Sequence, residues 1–368
     1  MSTFLRFLRP ALVQLGWVTA LAAILLAVAQ LGRLAESRQA EGVKLRVALF
    51  INGTLGDKSF FDSAARGLAS ARATLPVHVK VIEGGTDPTR WQGALTDLAD
   101  SGDYDLIVTG TYTMVPYVQV LAAQYPQAHF VVFDAAVDYA RCPCGNVHSI
   151  LFRQNEGAYL AGYLAASLDR SGLLGVPAAR GLGVVGGMQI PVIDDFIVGF
   201  RAGALAAAPG IPVLSQYANS FSDPAAGKEI AKAQFSRGVG LVFHAAGATG
   251  QGVNEAAREA NRYVIGVDMD QYALYRTSNP PLASRIVTSV LKNVDVAIRR
   301  AIEQQLQGRL AFGRAESLGL AENGVSLSRQ SEALAKAPPE VLQSLDQAER
   351  AVIEHRVQVP SAFAAVAR

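Results

Sequence analysis

The chain has 368 residues, of which half are apolar and 17% are charged, and its formal net charge at pH 7 is +2. This length allows one large domain or two ordinary domains with a full core, and the composition excludes an intrinsically disordered chain. Lysine and arginine are spread along the chain rather than clustered. We therefore expect no nucleic-acid partner, because such partners require a concentrated basic surface.

Residues 1–42 are predicted to be an export signal or a membrane anchor, followed by a linker. Arg6 and Arg9 precede an uncharged stretch at 10–32, which reaches the roughly 20 residues that span a bilayer. The Ala-Val-Ala at 27–29 matches a small-x-small cleavage pattern, so a cleaved signal and a retained anchor both remain open. Either alternative places the rest of the chain outside the cytoplasm, in the periplasm or at the cell surface. No cysteine lies near this stretch, which excludes a lipid on an N-terminal cysteine.

From residue 45 onward, strand and helix patterns alternate. The predicted strands are 45–50, 77–83, 106–110, 129–134, 147–152, 183–186, 213–217, 240–244 and 263–267. The predicted helices are 63–73, 89–98, 115–124, 156–168, 192–207, 224–236 and 253–259. Strands separated by helices indicate parallel sheets with crossover helices. The pattern restarts after the loop at 141–146, which favours two halves, each with its own sheet.

Beyond residue 268 the pattern is less regular. Residues 286–306 are predicted to form one long helix because apolar residues recur at every fourth position from Val290. Asn323-Gly324 between short apolar runs predicts a hairpin over 318–327. Residues 341–353 are predicted to form a last amphipathic helix, and 361–368 a frayed tail.

The two cysteines, Cys142 and Cys144, are separated by one proline. A local disulfide and free loop thiols are both open interpretations in an oxidising compartment. A metal site that also uses His148 is disfavoured because no second pair of ligands appears in the sequence. No metal ligand is therefore predicted.

Nucleotide-cofactor and catalytic motifs are weak or absent. The glycines at 181, 183 and 186 match the spacing of a dinucleotide fingerprint, but they bracket a strand instead of following one. The glycine-rich run at 247–252 follows a predicted strand, and it either approaches a ligand through its backbone or forms an ordinary turn. No nucleophile elbow or pair of ligand-spaced histidines occurs. We predict no cofactor and no catalytic residue.

Two aromatic and two acidic residues stand where predicted strands end. Phe60 and Phe221 follow an apolar strand and a polar turn, at the sheet edge where α/β proteins bind ligands. They either clamp a flat ring or act as hydrophobic staples of their own helices. Asp134 and Asp268 follow strands at the same edge, where they either accept hydrogen bonds from a ligand or cap a helix. Lys292, by its position in the predicted helix, is an ordinary solvated lysine.

Seven short motifs occur along residues 47–325: Asp57-Lys-Ser-Phe60, Asn146-Val147 with Asn155-Glu-Gly157, Gly186-Gly-Met188, Asp194-Asp-Phe-x-x-Gly-Phe200, Ser220-Phe-Ser-Asp-Pro224, Gly266-Val-Asp-Met-Asp-Gln271 and Thr288-Ser-Val-Leu-Lys-Asn-Val-Asp295. In this order they resemble the basic membrane protein family of ABC-transporter substrate-binding proteins, which includes bacterial purine nucleoside receptors.

The resemblance implies an α/β periplasmic-binding-protein type I fold. Two doubly wound α/β lobes would be joined by a three-crossover hinge around a cleft that closes on the ligand. We expect the first lobe to comprise 43–150 and 270–310. The second lobe would comprise 151–269 and 311–368.

The resemblance also implies the ligand-binding residues. A purine would stack between Phe60 and Phe221, and its ring edge would contact Asp134. The ribose hydroxyls would contact Asp268, Lys292 and the backbone of Gly247.

Two expected ligand-binding positions depart from the family pattern. Asn52 stands where the family commonly has aspartate, and Phe61 stands where it commonly has asparagine. The polar contact of that asparagine is lost at Phe61, so the resemblance does not define the base.

The sequence thus predicts an extracytoplasmic, monomeric receptor that captures a nucleoside, most simply a purine nucleoside, for an ABC permease and breaks no covalent bond. The alternatives are a membrane-anchored sensory ectodomain and a receptor for another aromatic or sugar-like solute. A nucleoside hydrolase would need an acid cluster or a metal site, which the sequence lacks. A repressor core would need a helix-turn-helix where this chain has its hydrophobic stretch.

Overall fold

The computed structural model describes residues 42–172 and 181–363. These residues form two six-stranded sheets, each with helices on both faces. None of the helices in these ranges is long and apolar enough to cross a bilayer. The predicted signal or anchor at 1–42 lies outside the described residues, except for its last residue.

The first sheet has the strand order β11-β5-β4-β3-β1-β2, and all of its pairings are parallel. Its strands are β1 (Leu45–Ile51), β2 (Val77–Glu83), β3 (Leu106–Gly110), β4 (Phe130–Phe133), β5 (Val147–Phe152) and β11 (Arg314–Leu318). Strands β3 and β4 are buried at every position and apolar except for Thr109, as expected for parallel strands covered by crossover helices.

The second sheet repeats this plan with the order β12-β10-β9-β8-β6-β7. Its strands are β6 (Leu182–Gly186), β7 (Val213–Tyr217), β8 (Leu241–Ala245), β9 (Tyr263–Asp268), β10 (Ile286–Lys292) and β12 (Val325–Leu327). Only β12 is antiparallel to its neighbour. Each strand of the second sheet therefore has a counterpart at the same place in the first.

The described helices are α1 (Phe60–Thr74), α2 (Trp91–Asp100), α3 (Val115–Gln124), α4 (Gln154–Arg170), α5 (Pro191–Ala207), α6 (Pro224–Ser236), α7 (Thr249–Glu259), α8 (Gln271–Tyr275), α9 (Pro280–Ala283), α10 (Val294–Leu306), α11 (Glu332–Ala335) and α12 (Pro339–Ile353). A short 3-10 turn at Pro88–Arg90 precedes α2, and another at Tyr112–Met114 precedes α3.

The chain passes between the two sheets three times, from β5 to α4, from β10 to α10 and from β11 to β12. Two doubly wound lobes with three crossovers are the periplasmic-binding-protein type I fold, so the predicted fold class is confirmed. The hinge is bound together by Arg153, which donates Nε to Glu156 at 2.6 Å and Nη1 to the Ser317 carbonyl at 3.0 Å. Glu156 in turn accepts the Leu320 amide at 2.8 Å, which joins the first crossover to the third.

The prediction of one helix over 286–306 is wrong. Residues 286–292 form β10, and helix α10 starts only at Val294. The β-branched run Ile-Val-Thr at 286–288 favours an extended chain, and strands β9 and β12 cover both edges of β10. Val290, which set the helical spacing, belongs to the strand.

The hairpin predicted over 318–327 is also wrong. Strand β11 pairs with β5 in the first sheet, whereas β12 pairs with β10 in the second. Asn323 has a left-handed φ of 54°, so the turn does form, but it lies in the third crossover. A turn motif fixes the local reversal and not the sheet in which each flanking strand finds its partner.

The sheet pairing moves two segments relative to the expected lobes. The segment 270–292, expected in the first lobe, belongs to the second, because α8 and α9 lie between β9 and β10, which are both strands of the second sheet. The segment 314–318, expected in the second lobe, is the edge strand of the first sheet. Both shifts follow from the same cause, since the second and third crossovers lie at residues 293 and 319–324.

Two further details concern the loops and the tail. Cys142 and Cys144 form a disulfide, which selects one of the open interpretations.

The tail is ordered as far as Phe363, because the Ser361 hydroxyl and the Ala362 amide both donate to Asp195, at 2.7 and 2.9 Å. The prediction of fraying is therefore wrong for 361–363, and 364–368 lie outside the described residues.

Candidate functional site in the interlobe cleft

The two sheets present their carboxyl ends to a shared cleft, and most of the predicted site residues follow directly from these ends. In the first lobe, Asn52 follows β1 and Asp134 follows β4. In the second lobe, Asp268 ends β9 and Lys292 ends β10. Because β4 and β9 hold equivalent places in their sheets, Asp134 and Asp268 are structural counterparts.

Lys292 is buried at the centre of the cleft, where its side chain is only 2% exposed. Its ammonium group forms an ion pair with Asp134 of the other lobe. Three aromatic rings surround the ammonium nitrogen, with centroids at 5.6 Å for Phe60, 5.4 Å for Phe152 and 5.6 Å for Phe196. The ring faces stabilise the cation where water cannot. The interpretation of Lys292 as a solvated helical lysine is wrong, because it belongs to a buried strand.

Asp134 and Asp268 have left-handed backbones, with φ of 61° and 63°. Such a conformation is uncommon outside glycine and is found at functional sites that the surrounding structure enforces. Neither residue caps a helix, since the element that follows Asp134 is strand β5, and Asp270 is the residue that caps α8. The helix-cap alternative is therefore excluded for both aspartates.

Burial controls the protonation of these carboxyls. It raises the pKa of Asp134, against the opposing effect of Lys292. It also raises the pKa of Asp268 to about 6, although Lys292 and a hydrogen bond from Ser59 act in the opposite direction. With Asp57 nearby as a third acid, the site holds more carboxylates than cations, which favours a ligand that donates hydrogen bonds.

Ser59 joins the lobes at this point, because its hydroxyl donates to Oδ2 of Asp268. Ser59 lies at the N-cap of α1, and its own side chain does not cap that helix. Asp57 performs that function instead, accepting the amides of Ser59 and Phe61 at 2.9 Å each. The Ser59 hydroxyl is thereby left for the cleft.

Phe60 is the first residue of α1 and packs against Phe133 and Phe61, at 5.4 Å between centroids in each case. Phe61 is half-buried, and its ring covers the backbone of Gly53. Phe60 therefore lies beside the Lys292 ammonium, whereas Phe61 packs toward the loop that follows β1. A staple would place Phe60 one residue before the N-cap, which is not where it lies.

Phe221 lies in the second lobe and is 39% exposed. Its ring lies against the Cα of Gly187, at the end of β6, where any Cβ would collide with the ring. The residue is two positions before Asp223, the N-cap of α6, so it is not a staple either. Among the described residues, the aromatic ring contacts do not include one between Phe60 and Phe221.

Gly247 follows β8 with φ of 55°, a conformation strained for a residue with a side chain. Its Cα lies beside Phe221, whose carbonyl is 3.2 Å from the place of a Cβ. The helix that begins at Thr249 starts four residues before its predicted position, so the glycine-rich run forms the first turn of α7.

Asn52 donates Nδ2 to the hydroxyls of Thr111 and Thr113, at 3.0 and 2.8 Å. Its Oδ1 is buried and has no protein partner. Two bonds fix the amide, so Oδ1 is held as an acceptor that a ligand N–H or O–H group can satisfy.

The structure thus brings Phe60, Asp134, Asp268 and Lys292 into one cluster and places Phe221 and Gly247 together on the second lobe. Ser59, Phe152, Phe196 and Gly187 complete the cleft and were not predicted as site residues. Their only signal was a place in the ordered motifs or at a strand end. In the described part of the chain, no group of three or more His, Cys, Asp or Glu side chains could hold a metal ion.

Comparison with known proteins places this cleft in a family context. The Bmp family, described as PnrA-like ABC transporter substrate-binding proteins, matches residues 44–361. Basic membrane protein A of Borreliella afzelii is 30% identical over 318 residues, covering 86% of this chain and 91% of its own. The CD4+ T-cell-stimulating antigen of Listeria monocytogenes is 30% identical over 325 residues, covering 84% and 85%.

Solved structures agree on the fold. An ABC transporter solute-binding protein of Aeropyrum pernix superimposes with a TM-score of 0.75 at 26% identity, covering 86% of this chain and 94% of its own. A solute-binding protein of Agrobacterium vitis, bound with α-D-tagatopyranose, superimposes with a TM-score of 0.57 at 17% identity, covering 82% and 98%.

Proposed function

Because the chain belongs to the Bmp family of PnrA-like ABC transporter substrate-binding proteins, we propose that its cleft captures a nucleoside, with a purine as the preferred base. Proteins of this family work outside the cytoplasm and deliver a small molecule to a membrane permease. Beyond that general function, the proposal specifies the class of ligand, the residues that contact it and a monomeric state of the receptor.

The observation that carries the proposal is the buried group of Asp134, Asp268 and Lys292 beside aromatic rings. The aspartates accept hydrogen bonds, and charge-assisted bonds of this kind contribute about 1.5–3 kcal/mol each. A sugar with vicinal hydroxyls and a base with ring N–H groups offer further donors to these acceptors. The exposed face of Phe221 and the half-buried Phe60 supply apolar surface for a flat ring.

Contacts follow from the positions of the side chains. Asp268 and Lys292, together with the Gly247 backbone, hold the ribose hydroxyls, and Asp134 with Asn52 holds the edge of the base. Phe221 stacks on one face of the base and Phe60 on the other, while Phe61 borders the base pocket. Capture requires lobe closure and no covalent chemistry, since the ligand stabilises the closed state by contacts made only there.

Mass spectrometry of small molecules released from the purified protein tests the proposal directly. Calorimetric titration with adenosine, guanosine, inosine, cytidine and ribose then ranks the ligands. We expect purine nucleosides to bind more tightly than cytidine, and ribose alone to bind weakly. Preference for a free sugar would contradict the proposal and favour a sugar-like solute.

Fusion of a reporter that is active only in the cytoplasm, placed after Arg368, tests the cellular location. We propose that the N-terminal stretch exports the lobes and anchors them to the membrane where it is not cleaved. Reporter activity from this fusion would contradict export.

A further inference from the structure

The loop at residues 56–59, which leads from the first sheet into Phe60, is held by side chains of the second lobe. Gln251 on α7 donates its Nε2 to the Asp57 carbonyl at 3.2 Å. Gln271 on α8 donates its Nε2 to the Lys58 carbonyl at 2.8 Å. Both bonds cross from one lobe to the other, so both exist only when the lobes are together.

The receiving loop is held by hydrogen bonds within the first lobe. The Asp57 carboxylate accepts the amides of Ser59 and Phe61 at 2.9 Å each, and Asp62 accepts those of Gly56 and Lys58 at 2.7 and 2.9 Å. These bonds occupy the amides of Gly56, Lys58 and Ser59 within the first lobe. The carbonyls of Asp57 and Lys58 are left to accept from the second lobe.

Gln271 is also preset within its own lobe, where it is 3% exposed. Its backbone amide donates to Ser289 Oγ at 3.0 Å, and its side-chain Oε1 accepts from Nδ2 of Asn254 at 3.5 Å. Asn254 is fixed in turn by His244, at 3.1 Å. A side chain held in this way loses little conformational freedom when the lobes close. Most of the free energy of its hydrogen bond to Lys58 therefore favours closure.

Lys58 adds a third contact between the lobes, because its ammonium lies 4.9 Å from the ring centroid of Tyr275. None of Gln251, Gln271 and Tyr275 belongs to the proposed ligand contacts. We infer that these three second-lobe side chains form a closure latch, which sets the balance between open and closed lobes without touching the ligand.

The latch has a defined consequence for binding. If only the closed state holds the ligand tightly, the apparent dissociation constant scales inversely with the closed fraction. Loss of a latch bond therefore raises the apparent dissociation constant of every ligand by the same factor. The ratio between the dissociation constants of two ligands stays unchanged. A residue that contacts the ligand alters that ratio instead. The inference uses the proposed function only for the choice of inosine and guanosine as probes.

The test uses Gln251→Ala, Gln271→Ala and the double variant in the full chain, with Gln216→Ala as an exposed control on β7. We expect each latch substitution to raise both dissociation constants about three- to tenfold, the order of one hydrogen bond. The control should leave them unchanged. Gln251 is half-buried on a helix surface, so its variant stays informative even if Gln271→Ala folds poorly.

A second measurement needs no ligand. Spin labels at Arg72→Cys on α1 and Glu229→Cys on α6 report the distance between the lobes by pulsed electron resonance, because the native cysteines are paired in a disulfide. We expect the double variant to shift the ligand-free protein toward longer distances. This readout separates the latch from the proposed function, since it remains valid if no nucleoside binds. Unchanged distances together with unchanged dissociation constants would overturn the latch, as would unequal effects on inosine and guanosine.

Discussion

Lys292 of the second lobe forms a buried ion pair with Asp134 of the first lobe, at the centre of the cleft. Lys292 is the last residue of β10 in the second sheet, and Asp134 directly follows β4 in the first sheet. The pair lies next to the second crossover, where the chain passes from β10 to α10. It therefore connects the cleft to the hinge, because any rotation of one lobe against the other changes its surroundings.

Removal of Lys292 alone should be strongly destabilising. Lys292→Met leaves Asp134 buried without its cation, and loss of one partner of a buried pair costs about 3–5 kcal/mol. The double variant Lys292→Met with Asp134→Asn removes both charges and should recover most of that loss. Urea denaturation of Lys292→Met, Asp134→Asn, the double variant and the parent provides the double-mutant cycle. Equal stability of the single and double variants would show that the two charges do not depend on each other.

Ligand affinity and protein stability should depend on pH in opposite directions. Burial raises the pKa of Asp268 to about 6 in the folded chain, whereas a free aspartate titrates near about 4. The folded state then holds its proton more strongly than the unfolded state. The contribution of Asp268 to stability is thus complete below about pH 4 and is lost as pH rises through about 6.

Binding follows the other sign, because a ligand hydroxyl needs the ionised carboxylate as its acceptor. We expect nucleoside affinity to fall below about pH 6, by up to about tenfold per pH unit. Asp268→Asn should bind more weakly by at least about 1.5 kcal/mol and show a flat profile. Lys292, Asp57 and Asp134 also face Asp268. Ser59→Ala removes a hydrogen bond that lowers the pKa of Asp268, so its affinity profile should shift to higher pH. If the affinity of Asp268→Asn still falls below about pH 6, the titration belongs to another group.

The ordered end of the chain should contribute to stability. Asp195 is 1% exposed, and both of its oxygens accept bonds, Oδ2 from Gln154 at 2.7 Å and Oδ1 from the tail. A stop codon in place of Pro360 leaves Oδ1 without these partners, which should cost about 1–3 kcal/mol. Thermal unfolding measures the loss. A stop codon in place of Ala364 keeps Ser361 and Ala362, and should leave the midpoint unchanged.

Every predicted strand up to residue 267 was located within one or two residues, because buried parallel strands are continuous apolar runs bounded by glycine and polar turns. The errors in the type of element lie after residue 268, whereas before it the start of α7 is misplaced by four residues. The sequence pattern predicts a helix for residues 286–292 because Val290 continues the spacing of the helix that follows it. A period of four positions cannot distinguish a buried strand that leads into a helix from one longer helix.

Some residues of the candidate site can likewise be predicted from the sequence, and others cannot. The sequence predicts that Asp134, Asp268 and Phe221 lie at strand ends, since that edge follows from chain order alone. It does not predict that Lys292 is caged by Phe152 and Phe196, because these rings come from a hinge strand and from α5. Contacts between lobes, such as that of Ser59 with Asp268, depend on hinge geometry that no local pattern encodes.

The aromatic clamp is tested most sharply through Phe221, because it is 39% exposed and contributes little to the core. Phe221→Ala should weaken the binding of purine nucleosides by about 1–3 kcal/mol, the usual contribution of a base stacked on an aromatic ring. Leu205→Ala removes an apolar side chain of similar exposure, 41%, near the far end of α5, and should leave affinity unchanged. Phe60→Leu keeps most of the burial beside Phe133 but loses the stacking, so its effect should lie between those of wild type and Phe60→Ala.

Gly187 allows a test of the ring position itself. A methyl group at residue 187 would occupy the space of the Phe221 ring, so Gly187→Ala should displace the ring and weaken binding although residue 187 need not touch the ligand. In the Phe221→Ala background the same change should have little further effect, because the ring it displaces is already gone. Calorimetry with inosine on the four proteins of this cycle measures the coupling. Additive losses would mean that Gly187 acts independently of Phe221, and unchanged affinity in Phe221→Ala would exclude the clamp.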